Sequence, residues 1–494
     1  MTARKTIGTD PATPLGIIVL GASGDLARKK VIPALFALYC QDFLPQNFRV
    51  FGFARHPMTC DEFRNRITEH LTCRHVPGHA CATYMDEFLS RCFYVQGQYG
   101  ARDAFVDLYA RMRTEEGDGP ANRMFYMAIP PFLFLDVARA LGDAGLVSCA
   151  PGPGWSRTVI EKPFGRDRRS SDELAAQMGQ VFTEDQTFRI DHYLGKEIVQ
   201  NLLVLRFANL IFGPIWNRSA IDHVKISWKE DFGIEERGGY FDEYGIMRDV
   251  MQNHLLQILA LVAMEQPARF DAKHIRDEKV SILRSIPALT LDDLVLGQYR
   301  RATYKGEQHP SYTEEAGVPP GSRTPTFASA VLHINNARWD GVPFQIAAGK
   351  ALDDRLTEIR IRFRHVPDTL FQSPGSPLPA NELVIRVQPD EAIFFTIINK
   401  APGIEMNLVE TALNLRYESA FGTKIPDAYE CLLLDVIRGD RALFIRSDEL
   451  AAAWDIFTPV LHEIEKRRVA PEPYEFGGKG PAKAVELAAR YGIA

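Results

Sequence analysis

The chain has 494 residues, 46% hydrophobic and 24% charged, which is enough for large cores and at least two domains. A net charge of −6 without a long basic run argues against nucleic-acid binding. No stretch reaches the roughly twenty apolar residues of a membrane span, so no membrane partner is expected. Residues 255–264, the longest apolar run, include Gln257 and read as a core helix.

Seven scattered cysteines, Cys40, Cys60, Cys73, Cys81, Cys92, Cys149 and Cys431, show no CxxC spacing and suggest reduced thiols in an intracellular protein. His70, His75 and His79 lie close to Cys73 and Cys81, but the spacings match no standard zinc site, and no metal is expected. The polar start, residues 1–14, has no apolar secretory core. A cytoplasmic protein is expected, with an organelle address left open.

The chain opens its folded part on Gly16-Ile-Ile-Val-Leu20, a buried-strand signal that runs into Gly21-Ala-Ser-Gly-Asp-Leu-Ala27. A helical pattern follows over 29–39. Strand, glycine turn and helix form the context that a dinucleotide-binding turn requires. Gly21 allows the tight turn and Gly24 lets the backbone approach a pyrophosphate. Ala27 replaces a third glycine and still permits close helix–strand packing. The amides would then point at phosphate, helped by the helix dipole. The next strand, 49–54, ends at Arg55. Enzymes that use NAD usually place an acid there for the ribose 2′-hydroxyl; a guanidinium suits a 2′-phosphate, so NADP is favoured.

A His- and Cys-containing helical region runs to about residue 92. Then come a strand at 93–95, a helix through Leu108 and Met112, a strand at 122–129 ending in Pro130-Pro131, and a helix at 133–141. A further strand, 157–160, ends in Glu161-Lys-Pro-Phe-Gly165. This alternation predicts a Rossmann-like, doubly wound parallel sheet, whose ligands bind beyond the carboxyl ends of the strands. Arg55, Tyr126 and Lys162 fall at or close to those ends.

Arg189-Ile-Asp-His-Tyr-Leu-Gly-Lys-Glu197 concentrates an acid, an imidazole, a phenol and a lysine. As a helix it would put His192 and Lys196 on one face, suited to a phosphate monoester, with Asp191 turned elsewhere. Beyond it the pattern changes. A helix at 198–207 precedes alternating segments at 223–228, 328–335, 358–364, 383–387 and 392–398, with helices at 248–264 and near the C-terminus. The second part therefore reads as α+β on a large, mainly antiparallel sheet, giving domains of 12–190 and 191–494. Proline- and glycine-rich 318–325 and 373–380 read as loops.

This second part adds candidate chemistry. Glu230 ends a strand, and Lys350 and Arg355 lie beside another. Asp249 and His254, five apart on a helix, do not share a face; His254 would look across to Asp191 while Asp249 looks into the same cleft from another side. An NADP fold beside a cationic pocket suggests hydride transfer from a phosphorylated substrate. A neutral imidazole can take the alcohol proton near neutral pH, and a carboxylate on its other nitrogen fixes the tautomer. Asp191 with His254 could be that pair, and no metal is needed.

The glycine turn, the Glu161–Gly165 motif and the Arg189–Glu197 stretch together resemble the glucose-6-phosphate dehydrogenase family. Phe212-Gly-Pro-Ile-Trp-Asn-Arg218, Asp249-Val-Met-Gln-Asn-His254, Gly349-Lys-Ala-Leu352 and Pro426-Asp-Ala-Tyr-Glu430 extend the match in collinear order over nearly the whole chain. The resemblance implies oxidation of D-glucose 6-phosphate at C1 to the 6-phospholactone with reduction of NADP, the first step of the pentose phosphate pathway. It implies His254 as general base and Asp191 as its partner. His192, Tyr193 and Lys196 would hold the phosphate. Glu230 and Asp249 would bind sugar hydroxyls, Lys350 and Gln388 would also face the substrate with Arg355 near it, and Lys162 would touch both ligands. Gly21, Ala22, Ser23, Gly24, Asp25, Leu26, Arg28, Arg55 and Tyr126 would hold the coenzyme, and Pro163 looks like the family's hinge proline. A homodimer or homotetramer that pairs through the large sheet is implied.

Two rivals are an NADP-linked dehydrogenase of another sugar and a catalytically dead NADP-binding protein. The first gives His192, Tyr193 and Lys196 nothing to bind if its substrate lacks phosphate. The second leaves the Asp191 and His254 pair unexplained. Some eukaryotic members carry a second, structural NADP. Here Ala347, Leu356 and Thr396 stand where those members have cations, Phe394 stands at a tyrosine, and the sequence stops at Ala494, short of their aromatic tail. That site is expected to be absent or weak, although Arg360 and Arg386 remain.

Overall fold

The computed structural model describes residues 13–76, 78–147, 154–367, 370–371, 378–422 and 424–493. The expectations for the first twelve residues, for Cys149 and for most of 373–380 lie outside that range.

Six strands form the first sheet: β1 Leu15–Leu20, β2 Phe48–Ala54, β3 Cys92–Gln96, β4 Asn122–Met127, β5 Ser156–Ile160 and β6 Thr187–Arg189. All pairs are parallel and the order is β3-β2-β1-β4-β5-β6. Every residue of β1 is buried, as expected for a strand covered on both faces. Its alternate side chains serve opposite layers. Ile17 and Val19 join the core under the helices Ile32–Cys40 and Ala428–Arg438, while Ile18 and Leu20 pack with Phe105, Leu108 and Leu141. The order reverses between β1 and β4, which opens a ligand crevice at their carboxyl ends.

The second sheet has nine strands, ordered β16-β15-β14-β13-β7-β12-β11-β8-β17. In chain order they are β7 Ile221–Lys229, β8 Leu294–Arg300, then, after a separate hairpin of β9 Ala302–Tyr304 and β10 Glu307–His309, β11 Phe327–Leu332, β12 Phe344–Gly349, β13 Leu356–Phe363, β14 Glu382–Gln388, β15 Ala392–Lys400, β16 Leu408–Arg416 and β17 Glu472–Glu475. The β7–β12 and β8–β17 pairs are parallel and the others antiparallel. β13 alternates as its sequence predicts, whereas β16 is exposed along almost its whole length and has no burial rhythm to read.

Three local expectations are corrected. The stretch 191–196 is a run of turns, not a helix. Leu194, Gly195 and Lys196 donate to the carbonyls of Asp191, His192 and Tyr193, and the helix begins only at Glu197. The Asp191 carboxylate takes the Tyr193 amide at 2.9 Å, a local bond that competes with helix formation. Gly195 lies so close to helix Ala428–Arg438 that a Cβ there would sit 2.5 Å from the Ala428 carbonyl oxygen.

Secondly, Met247–Leu255 is a π-helix, in which Leu256 donates to the Met251 carbonyl, five residues back. The wider turn brings residues five apart toward one face, so Asp249 and His254 both reach the same cavity. Thirdly, Cys73 and Cys81 are disulfide-bonded, with Cα atoms 5.7 Å apart. The absence of CxxC spacing concealed a chain reversal that returns the second cysteine to bridging distance.

Candidate active site

The seam between the two sheets encloses a cavity of about 930 Å³. The turns after β6 supply His192, Tyr193 and Lys196. The end of β5 supplies Lys162, the end of β7 Trp228 and Glu230, the π-helix Asp249 and His254, the end of β12 Lys350, and β14 Gln388. Arg355 lines the same cavity from the start of β13.

At its centre, His254 Nδ1 meets Asp191 Oδ1 at 2.5 Å, with both side chains almost fully buried. Burial opposes the charge on Asp191, but His254, His192 and the Tyr193 amide together outweigh it and hold the carboxyl at about 2. Burial lowers the His254 imidazole from its usual value, against the pull of Asp191. The pair at neutral pH is therefore a carboxylate and a neutral imidazole that donates from Nδ1, which leaves Nε2 as an acceptor. The Tyr193 ring stacks on His254 at 4.6 Å, and the His192 ring meets it edge-on at the same separation. Burial and then His254 hold His192 well below its usual value. The Tyr193 hydroxyl accepts from Trp228 Nε1 at 2.6 Å and from Gln388 Nε2 at 3.3 Å, which fixes the phenol in place. Asp191, His192 and His254 bring donor atoms within 4.8 Å, a spacing that metal ligands also show. Here Asp191 Oδ1 is already taken by the Tyr193 amide and His254.

The cations divide into two kinds. Lys162 Nζ binds the Asp249 carboxylate at 2.9 Å and its carbonyl at 2.6 Å. Burial opposes the charge on Asp249, but Lys162, with Lys350 and His254, outweighs it and holds the carboxyl below the usual range. Lys350 Nζ binds Glu230 at 2.5 Å. Lys196 and Arg355 make no ion pair among the described residues, and burial lowers the Lys196 ammonium. One part of the cavity therefore offers charge-matched hydrogen-bonding groups, and the other offers cations that form no ion pair, although Glu391 and Asp427 act on Lys196 from the same lining.

Most of the residues expected at the coenzyme lie at the carboxyl ends of β1 and β2, with Tyr126 in β4 and Lys162 just past β5. Gly21 has φ +87°, and a Cβ there would come within 2.2 Å of the Ala128 carbonyl oxygen. Gly24 is exposed, with only the Gly21 carbonyl oxygen near the place of a Cβ. The amides of Gly21 and Ala22 donate to Phe53, and that of Gly24 to Gly21, so these three are used inside the turn. Arg28 and Lys29 both pair with Asp25. Arg55 is exposed at the end of β2, its guanidinium 5.4 Å from the Tyr99 ring. Tyr126 is fully buried and turns its hydroxyl to Glu161 at 2.5 Å. A backbone approach kept open by Gly24 beside a solvent-facing guanidinium fits a dinucleotide that carries a 2′-phosphate.

Sequence reasoning missed cavity residues that come from the layer of helices and loops covering the first sheet. Lys30, one turn past the glycine turn, pairs with Asp427 at 3.3 Å, and Arg74, Asp427 and Tyr429 also line the cavity. The motif around Tyr429 was visible, but nothing local showed that its helix packs back on the first sheet.

The family model described as "Glucose-6-phosphate dehydrogenase, NAD binding domain" matches residues 18–201, and the corresponding C-terminal domain model matches 203–494. The chain belongs to the glucose-6-phosphate dehydrogenase family. The chloroplastic glucose-6-phosphate 1-dehydrogenase of Solanum tuberosum is 52% identical over 97% of this chain and 83% of its own length. The cytoplasmic isoform of the same plant is 49% identical over 96% and 91%. A solved glucose-6-phosphate dehydrogenase, in complex with its substrate glucose 6-phosphate, superposes with a TM-score of 0.91, at 40% identity and 99% coverage of both chains. The Rossmann-like first sheet and the large mixed second sheet are thus the glucose-6-phosphate dehydrogenase fold.

Proposed function

We propose that the protein oxidises D-glucose 6-phosphate at C1 to 6-phospho-D-glucono-1,5-lactone with NADP, the first step of the pentose phosphate pathway. The observation that carries this reading is the burial of one carboxylate–imidazole pair, Asp191 and His254, in the same cavity as unpaired cations. Family membership along the whole chain supports it.

In this reading His192, Tyr193 and Lys196 hold the phosphate, with Arg355 beside them. Glu230, Asp249, Lys350 and Gln388 receive the sugar hydroxyls, and Lys162 stands between sugar and coenzyme. His254 Nε2 takes the proton of the C1 hydroxyl, and Asp191 steadies the imidazolium that forms. As that proton leaves, C1 gives up its hydride and the carbonyl of the lactone forms. NADP supplies the hydride acceptor. The glycine turn with Ser23, Asp25, Leu26 and Arg28 would hold the coenzyme and Arg55 its 2′-phosphate. Tyr126 acts behind the coenzyme site through Glu161. Residues 12–190 form the coenzyme domain and 191–494 the substrate domain.

A homodimer or homotetramer forms through the second sheet. The support is the exposure of Val409, Leu413 and Leu415 on β16, at 40%, 61% and 37%. A second, structural NADP binds weakly or not at all, because Arg360 is tied to Glu358 and Glu382 and Thr396 Oγ1 bonds to Glu382. The protein works in the cytoplasm or in an organelle; relatives named for both match it. No helix among the described residues is long and apolar enough to cross a membrane.

The test is NADPH formation by the purified protein with glucose 6-phosphate, glucose and other sugar phosphates. Turnover should be efficient with glucose 6-phosphate and NADP and far weaker without the phosphate. Equal rates with glucose favour a dehydrogenase of another sugar. No turnover by folded, NADP-binding protein favours a non-catalytic role.

A further inference from the structure

Beside the active-site cavity lies a second cavity of about 1020 Å³, and the two share Arg74, Glu391 and Ile425. Arg74 does not come from the substrate domain. It sits in the loop between the helices Cys60–Thr68 and Cys81–Ser90 of the first sheet's layer. Three contacts hold this loop. The Cys73–Cys81 bridge closes it, Lys424 Nζ donates to the Arg74 carbonyl at 3.5 Å, and His75 Nε2 lies 3.5 Å from Glu430 Oε2. Glu430 belongs to the helix Ala428–Arg438, whose Tyr429 ring lies parallel to His192 at 6.4 Å. The loop is thereby anchored to the element that backs the phosphate end.

The backbone of Arg74 is held, while its side chain forms no ion pair among the described residues and lines both cavities. Lys162, Lys350 and Lys30 differ in that each already has a carboxylate. Arg74 shares its unpaired state with Lys196 and Arg355. Glu391 lines both cavities with Arg74, and Glu430 feels its charge, but no carboxylate among the described residues forms an ion pair with it. A guanidinium free of such a pair, placed where the two cavities meet, draws a dianion in by its charge.

We propose that Arg74 is a further specificity-determining residue, supplied by the coenzyme domain, that recognises the phosphate of the incoming substrate. The proposal rests on the function proposed above and adds a residue to its phosphate end. Arg74 acts on capture of the phosphorylated sugar and leaves the chemical step to His254.

The experiment compares the wild-type enzyme with Arg74→Ala and Arg74→Lys. For Arg74→Ala the KM for glucose 6-phosphate should rise about tenfold, as for loss of a contact to a charged group. The kcat and the KM for NADP should stay within about twofold, as expected when only substrate capture is lost. The ionic-strength dependence of kcat/KM should become shallower, and Arg74→Lys should recover most of the loss. An unchanged KM and salt dependence in Arg74→Ala overturns the proposal. So does a joint shift of kcat and both KM values that Arg74→Lys does not repair, because the loop then only supports the fold. A wild-type enzyme inactive on glucose 6-phosphate fails the proposed function itself, whereas an unaltered Arg74→Ala enzyme fails Arg74 alone.

Discussion

His254 Nδ1 lies 2.5 Å from Asp191 Oδ1, a contact that joins the turns after the first sheet to a π-helix 63 residues later. In the proposed mechanism it makes the imidazole a base, with Nε2 left to accept the substrate's proton. Replacing His254 with Asn keeps a hydrogen-bonding side chain but removes the base. Turnover should fall roughly 10² to 10⁴-fold or more, with little change in glucose 6-phosphate affinity measured by titration calorimetry. A variant that keeps near wild-type kcat places the base elsewhere. Asp191→Asn should also lose turnover, by about 10⁴-fold where a wrong tautomer results.

Lys196 is an ammonium without a carboxylate, and its role is read as binding. Lys196→Ala should raise the KM for glucose 6-phosphate about 10- to 100-fold and barely alter the weak reaction with glucose. Steady-state kinetics with both sugars check this. An equal loss on both would remove Lys196 from the phosphate end.

Arg55 stands exposed where NAD enzymes usually carry an acid. Arg55→Ala should raise the KM for NADP about tenfold or more and leave that for NAD almost unchanged. An unaltered coenzyme preference contradicts the assignment.

Stability should fall on mild acidification. His192 and His254 are both held below the ordinary histidine value of 6.5, chiefly by burial. As pH drops through that value, the unfolded chain takes up protons that the folded protein does not. The unfolded state is then favoured, so stability rises with pH over this window. The thermal midpoint should therefore fall between about pH 7 and pH 5, and His192→Gln should make the fall shallower. A flat profile would mean that both histidines titrate alike in the folded and unfolded states.

Much of this site was legible in the sequence because its parts carry local signals. The glycine turn follows an unbroken apolar strand, Arg55 ends the next one, and β13 alternates with period two. What was not legible depends on long-range return of the chain. The helix Ala428–Arg438 leaves the second sheet to cover the first, which puts Asp427 and Tyr429 beside Lys30 and His192. The helix expected over 191–196 is replaced by turns because the Asp191 carboxylate captures the Tyr193 amide. That Asp249 and His254 look into one cleft was legible, but side-chain periodicity does not announce the π-helix whose wider turn brings them toward one face. The Cys73–Cys81 bridge depends on a chain reversal, and residue counting does not reveal it.

The most direct measurement of the central claim uses glucose 6-phosphate deuterated at C1. Wild-type enzyme with NADP should place the deuterium on the nicotinamide ring of NADPH and release the 6-phospholactone. His254→Asn, binding the sugar phosphate as tightly, should transfer almost none in the same time. Reduced coenzyme without deuterium, or label transfer by His254→Asn at the wild-type rate, would contradict the account.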